Sequence, residues 1–240
     1  MDKLICYENL RRFAYSNDHL LQGPVRGIAV EFFGLGVEDM FDGDIERDRL
    51  FAEKGVILLI PYNNPWAWMN RQAVAFTDEC LDALFNHYRL PEGLPIVSTG
   101  GSMGGQSALV YTRYARRTPC ACVTNCPVCD LPYHFTERPD LPRTLYSAFW
   151  NEPGSMEEAL KSASPLHLAA ELPDIPYTVF HCEEDRAVNK AMHSDRLAAA
   201  MAGRRLTYIS VPGCGHCELP GEYREQYDRV ILEAAGAEAV

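Results

Sequence analysis

The chain has no long apolar run and little positive charge. None of its apolar runs approaches the ~18 residues of a membrane span. The longest, Gly55 to Pro61, has the length of a strand. The opening residues Met1-Asp2-Lys3-Leu4-Ile5-Cys6-Tyr7-Glu8 lack the apolar centre of a secretory signal. Lys and Arg number 22 against 33 Asp and Glu, a formal charge of −11, which argues against general binding to nucleic acid or to an anionic membrane. No internal repeat or low-complexity tract occurs. These absences leave a cytoplasmic protein as the expectation, without nucleic-acid or membrane partners. The nine cysteines are odd in number and follow no secretory signal, so free thiols are expected rather than a disulfide framework.

What is present fits one α/β domain spanning 1–240, with an ordinary hydrophobic fraction of 47%. Strands are expected at Val25–Phe33, Gly55–Pro61, Pro95–Thr99, Cys120–Asn125, Ile175–Cys182 and Arg205–Val211, with short edge strands at Phe13–Tyr15 and His19–Leu21. Helices are expected at Asp44–Lys54, Ala73–Tyr88, Gln106–Arg116, Val188–Ala202 and Gly221–Ala235. Gly55-Val56-Ile57-Leu58-Leu59-Ile60-Pro61 is apolar throughout, as in strands buried on both faces. The alternation predicts a doubly wound, mostly parallel sheet with helices on both faces. Residues 127–165 break the rhythm with prolines and aromatics. They are read as a cap inserted into the domain, carrying one helix near Met156–Ser162.

The organising stretch is Gly100-Gly101-Ser102-Met103-Gly104-Gly105, set between a strand and a helix. In that context G-x-S-x-G is a nucleophile elbow. Ser102 must adopt a strained backbone so that its hydroxyl stands clear of the sheet, and Gly100 and Gly104 relieve collisions with the turn. Gly105 is expected to let the helix lie close to the strand. The Met103 N–H, at the start of the helix, would then face an oxyanion beside Ser102.

A serine hydroxyl needs a base, and the base needs an orienting acid. Loops that converge over a parallel sheet leave the C-terminal ends of its strands. Two such ends offer the missing groups: His181-Cys182-Glu183-Glu184-Asp185-Arg186-Ala187-Val188, and Val211-Pro212-Gly213-Cys214-Gly215-His216-Cys217. Ser102, Asp185 and His216 follow one another in the Ser…Asp…His order of the α/β-hydrolase arrangement.

From about Val25 to its C-terminus the chain resembles the α/β-hydrolase fold, in particular small serine hydrolases related to prolyl oligopeptidases and dienelactone hydrolases. In those relatives the strand leading to the acid commonly ends H-G-x-x-D-x-x-V, and Cys182 here replaces the glycine. Gly213-Cys214-Gly215-His216 matches the turn that carries their histidine. The resemblance implies Ser102 as nucleophile, His216 as base and then acid, and Asp185 as the group that fixes the imidazole. Many relatives have H-G-x-G or H-G-G after the first strong strand, where this chain has Phe33-Gly34-Leu35-Gly36. A second oxyanion donor is expected from the N–H of Leu35, ahead of Gly34.

Other groups compete for these roles. Glu184 and Asp130 are alternative acids, more simply read as solvated loop residues. His181 reads as a structural histidine at a strand end, His134 and His167 as cap residues, His193 as lying on a polar helix face. Cys126, Cys129, Cys182, Cys214 and Cys217 are expected near one sheet edge, as a metal, redox or merely buried set. Cys214 and Cys217 bracket His216, which the triad needs free, so no metal is assigned and no cofactor is required. Trp66, Trp68, Tyr133 and Trp150, with Phe149, either line a substrate pocket or pack the cap.

The sequence thus points to hydrolysis of an ester, thioester or amide of a small acyl group, in the manner of a carboxylesterase or small peptidase. The substrate would be a small molecule or short peptide. A homo-oligomer is compatible with the sequence. The alternatives are a catalytically silent binding protein of the same fold and a cysteine-dependent redox or metal protein. The absence of a propeller-length region weighs against a full-size prolyl oligopeptidase.

Overall fold

The computed structural model describes residues 4–40 and 43–237. Among the described residues, seven strands form one sheet in the order β1-β3-β2-β4-β5-β6-β7. They are β1 (Ala14–Ser16), β2 (Gly27–Phe32), β3 (Val56–Pro61), β4 (Ile96–Gly101), β5 (Ala121–Asn125), β6 (Tyr177–Cys182) and β7 (Leu206–Val211). Only β1 runs antiparallel, pairing Tyr15 with Ile60 on the edge. The remaining pairings are parallel, as the apolar runs required.

The strands alternate their side chains between two cores. Ile28, Val30, Ile57, Leu59 and Ile96 join one, covered by α2 (Arg71–Tyr88) and α3 (Met103–Tyr114). Ala29, Leu58, Val97 and Val123 join the other, against Phe51 of α1 (Glu46–Glu53) and Tyr227 and Ile231 of α9 (Gly221–Ala234). This period-two partition places helices on both faces of the sheet. The chain steps outward from β2 to β3, then returns past β2 to β4. The switch point between β2 and β4 is where a crevice opens at the strands' C-terminal ends.

The expectations fail in three places. His19–Leu21 was expected as a strand, but Asp18–Leu20 form a 3-10 turn. The buried Asp18 carboxylate accepts hydrogen bonds from Tyr7, Tyr88 and Arg11, which hold the chain curled. The helix expected from Val188 begins only at Ser194, as α8 (Ser194–Ala200). His193 before it is fully buried rather than on a polar face. Its Nδ1 accepts from the N–H groups of Cys129 and Asp130, at 3.0 and 3.1 Å, and that tie fixes a non-helical backbone.

The third difference lies at 127–165, where one helix was expected. The structure has α4 (Leu131–Glu137), α5 (Leu141–Phe149), α6 (Met156–Ser162) and, just beyond, α7 (Pro165–Leu168). Prolines 132, 142 and 165 look like breakers in sequence but stand in first turns, where a helix needs no N–H. α4, α5 and α6 share an apolar core with Trp68, Met103 and Val188, over the C-terminal end of the sheet, whereas Leu168 of α7 joins the core under α2 and α3. Gln106, fully buried on α3, donates to the Trp68 and Ala163 carbonyls at 3.0 and 2.8 Å, stitching cap to sheet.

Candidate active site

Ser102 sits between β4 and α3 with φ 59° and ψ −126°, the left-handed strain expected of it. Three backbone bonds over-determine that conformation. Its N–H donates to the Asn125 carbonyl at 2.9 Å, and its carbonyl accepts from Gln106 and Val128 at 3.1 and 3.3 Å. The turn closes because Gly100 and Gly104 lack side chains. A Cβ on Gly100 would lie 2.5 Å from the Gly104 carbonyl oxygen, and one on Gly104 would lie 2.0 Å from that of Phe32. Gly105 faces Pro127 as well as the strand, with a Cβ position 2.9 Å from the proline ring.

Asp185 follows β6, and its side chain is fully buried. Oδ1 accepts from the N–H groups of Ala187 and Val188, at 2.8 and 2.9 Å. Oδ2 accepts from His216 Nδ1 at 2.7 Å and lies 3.3 Å from His181 Nε2. Burial works to raise this carboxyl's pKa, but the bonds from His181, His216 and Val188 hold it far below the usual carboxylate range. Because a carboxylate only accepts, His181 carries its proton on Nε2, and its Nδ1 accepts from Ser194 Oγ at 2.7 Å. His181 is thus a satisfied structural histidine.

The same reasoning puts the His216 proton on Nδ1 and leaves Nε2 as a lone-pair acceptor. Burial depresses the pKa of this ring. The hydrogen bond to Asp185, then contact with Cys126, overcome burial and raise it to about 9. His216 and Ser102 line one cavity of about 570 Å3, together with Phe33, Gly34, Leu35 and Trp68. Among the described residues no hydrogen bond joins Ser102 Oγ to His216. In unliganded hydrolases such bonds are often long and tighten only around substrate. Gly34 passes directly beside the serine, its Cβ position 4.0 Å from Ser102 Cβ. The Met103 N–H opens α3, among the first-turn donors that have no intrahelical partner.

The other acids are placed elsewhere. Asp130 caps α4 through the Tyr133 N–H and pairs with Arg196 at 2.6 Å, while Glu184 is exposed. Of the aromatic candidates, Trp68 lines the cavity and is fully buried, its Nε1 donating to Thr144 at 3.1 Å. Trp66 borders a separate hollow, Tyr133 packs on the His193 ring, and Trp150 is 66% exposed. Phe149 is buried in the cap core.

Sequence reasoning passed over Glu137. Its carboxylate accepts from His134 Nδ1 and from His193 Nε2, the latter at 2.9 Å. Burial would raise its pKa, but those two bonds bring it down to about 2. Burial pushes the pKa of the His134 ring below its ordinary value, against the bond to Glu137, and the ring borders the cavity. The three-residue spacing of His134 and Glu137 on one helix was the available signal.

The thiols divide. Cys129 turns toward the Pro127 carbonyl and Cys214 toward that of Val211. Cys126 and Cys217 face each other beside the His216 ring. The interaction between the two thiols lowers the pKa of Cys126 and raises that of Cys217. All nine cysteines are free.

A family model described as "Alpha/beta hydrolase family" matches residues 6–231. The chain belongs to that family. The seven-stranded sheet with flanking helices is the family's fold. Among solved structures, it is similar to an S-formylglutathione hydrolase from Agrobacterium tumefaciens, with 17% identity and TM-score 0.65 over 94% of this chain and 89% of that one. Esterase B from Lactobacillus rhamnosis gives 14% identity and TM-score 0.67, over 90% and 78%. A puromycin hydrolase gives 18% and 0.65, over 89% of this chain but 34% of its own. The chain therefore spans about a third of that enzyme, and 36% of an acylaminoacyl peptidase from Pyrococcus horikoshii. At these identities the likeness is one of fold. A comparison with curated proteins finds no match. Among the described residues no helix is long and apolar enough to cross a membrane.

Proposed function

We propose that this chain is a serine hydrolase that cleaves an ester, thioester or amide of a small acyl group through an acyl-enzyme on Ser102. His216 Nε2 takes the Ser102 proton as Oγ attacks the acyl carbon. The resulting imidazolium is held by Asp185 Oδ2, and the proton passes to the leaving group as the acyl bond breaks. Water then repeats the sequence to release the acid and free Ser102. The N–H of Met103 and that of Leu35, or of Gly34, stabilise the tetrahedral oxyanion. One such donor is worth about 3–4 kcal/mol.

The observation that carries the reading is the 2.7 Å bond from His216 Nδ1 to the buried Asp185, at a cavity shared with a serine on a strained elbow. That bond fixes the tautomer a general base needs. The apolar walls contributed by Phe33, Leu35, Trp68 and Val188 suit a small apolar acyl group.

The test has two parts. A fluorophosphonate probe should label Ser102, as mapped by peptide mass, and Ser102→Ala should abolish labelling and turnover. Absence of label in folded protein would favour a silent binding protein. A screen of p-nitrophenyl esters of graded length, acyl thioesters and aminoacyl-p-nitroanilides then reads the bond and chain length preferred.

A further inference from the structure

Hydrolysis uses the His216 ring and neither of the thiols beside it. Cys126 Sγ, Cys217 Sγ and a ring nitrogen of His216 lie within 4.8 Å of one another. His216 Nε2 is 3.8 Å from Cys217 Sγ. A tetrahedral zinc with two thiolates and one imidazole needs separations of roughly 3.5–3.8 Å, given bonds of about 2.3 Å to sulfur and about 2.0 Å to nitrogen. The three donors therefore need to close by no more than about 1.3 Å.

Two other clusters look alike but differ chemically. In His134, Glu137 and His193, the His193 Nδ1 already accepts two backbone N–H groups, so its Nε2 holds a proton and donates to Glu137. In Cys126, His181 and Asp185, both ring nitrogens of His181 are engaged, by Asp185 and by Ser194. His216 Nε2, by contrast, lies 3.8 Å from a thiol sulfur and carries no proton in the tautomer that Asp185 sets.

The surroundings of this trio also suit a metal. His216 Nδ1 is anchored on a carboxylate, the arrangement that orients a metal-bound imidazole. Cys126 Sγ accepts the Cys182 N–H at 3.4 Å, a bond that would persist to a thiolate. Gly101 leaves room for Cys217, since a Cβ there would lie 3.1 Å from its sulfur. His216 and Cys217 border the cavity, so an ion can enter from that side and keep a fourth position open to water.

The geometry points to a site for a thiophilic divalent cation, Zn2+ above all, held by Cys126 Sγ, Cys217 Sγ and His216 Nε2, whose occupation shuts off the hydrolase. Binding forms two Zn–S bonds and one Zn–N bond, and two thiol protons leave to solvent without any change of oxidation state. The metal takes the lone pair that would accept the Ser102 proton. The inhibition rests on the function proposed above, whereas the site does not.

Cobalt separates the two. Reduced, metal-free protein in a phosphine reductant, titrated with Co2+, should bind one ion per chain. It should develop thiolate-to-cobalt charge-transfer absorption and the visible bands of tetrahedral cobalt. Cys126→Ser and Cys217→Ser should each weaken binding by at least about 100-fold, more than the 10- to 100-fold usual for losing a group that only orients a ligand. Ser102→Ala should leave the spectrum unchanged. Zn2+ should displace the cobalt and, in the wild-type chain, suppress ester hydrolysis stoichiometrically and reversibly with chelator. Folded protein with no thiolate band, or serine variants that bind as tightly as wild type, would overturn the site. A normal cobalt spectrum with hydrolysis unaffected by Zn2+ would leave the site standing and refute its link to the triad.

Discussion

Replacing Asp185 with Asn keeps the shape of the site and removes its logic. The carboxamide oxygen must stay toward the N–H groups of Ala187 and Val188, because an amide nitrogen there would meet two donors. The NH2 group then faces His216 Nδ1 at 2.7 Å and His181 Nε2 at 3.3 Å, donor against donor. Both rings escape by moving their protons to the opposite nitrogen. For His181 the move is tolerable, since Ser194 can accept instead of donate. For His216 it places the proton on Nε2, where a lone pair is needed. The expected loss in kcat is about 10^4-fold, the size seen when a triad aspartate becomes asparagine elsewhere. That factor corresponds to roughly 5 kcal/mol. The pH dependence should change as well. The His216 ring, raised from 6.5 to about 9, contributes stability that is fully present below pH 6.5 and lost as pH rises through 9. Activity, which needs the neutral ring, rises over the same interval. In Asp185→Asn the rising limb of activity should move to lower pH, and the stability difference from wild type should be largest below 6.5, at no more than about 3 kcal/mol. The measurements are kcat and kcat/KM on p-nitrophenyl acetate from pH 5 to 10, with denaturant midpoints at each pH. A folded variant within tenfold of wild type, with an unmoved limb, would refute the assignment of Asp185.

Other perturbations follow from particular contacts. Gly104→Ala drives a Cβ to 2.0 Å from a backbone oxygen and should prevent folding or cost more than ~3 kcal/mol, whereas Gly93→Ala, with open space around it, should stay within ~0.5 kcal/mol. Thermal midpoints and soluble yields compare the two. Glu137→Gln should destabilise by about 2 kcal/mol at pH 7, through the bonds lost to His134 and His193. Because the folded pKa of Glu137 is depressed to about 2, that advantage is present above about 4.5 and fades as pH falls toward 2. The gap between the denaturant midpoints of wild type and variant should therefore be wide at pH 7 and narrower at pH 3. Trp68→Ala should cost about 3–5 kcal/mol and distort the cavity, while Trp150→Ala, largely solvated, should alter neither Tm nor kcat/KM.

The sheet could be read in advance because its strands are buried on both faces, so runs such as Val56–Pro61 are apolar at every position. The cap resisted reading because its prolines occupy first turns, which a sequence scan treats as interruptions. Ser102, Asp185 and His216 could be proposed from spacing and order, each lying on a loop that leaves a strand's C-terminal end; the structure brings His216 to Asp185 at 2.7 Å and to the cavity that Ser102 lines. Glu137 was not, because its role depends on His193, which approaches from beyond β6. Nor was the split among the cysteines. Cys126 and Cys129 are neighbours in sequence, yet one joins the His216 ring while the other turns into the opposite core.

That split has a physical origin in how the ladder ends. The strand pairing carries on one residue past several strands. Ser102 N–H bonds Asn125, Cys126 N–H bonds Phe180 and Glu183 N–H bonds Val211. The chains are thus held rigidly level just where they must turn away. Ser102 and Cys126 make that turn in the left-handed region, at φ 59° and 47°, and Cys217 does so next to His216 at φ 61°. Conformations of this kind cost of order 1–3 kcal/mol each and persist only where surrounding bonds dictate them. The surrounding bonds here are the extended ladder, the Gly100 and Gly104 contacts and the Asn125 side chain, which donates to the Cys217 carbonyl at 3.2 Å. One device therefore aims both the serine at the cavity and the two thiols at the imidazole. Loosening the end of β5, for instance with Asn125→Ala, should disturb hydrolysis and metal binding together, whereas Cys217→Ser should disturb metal binding far more than hydrolysis.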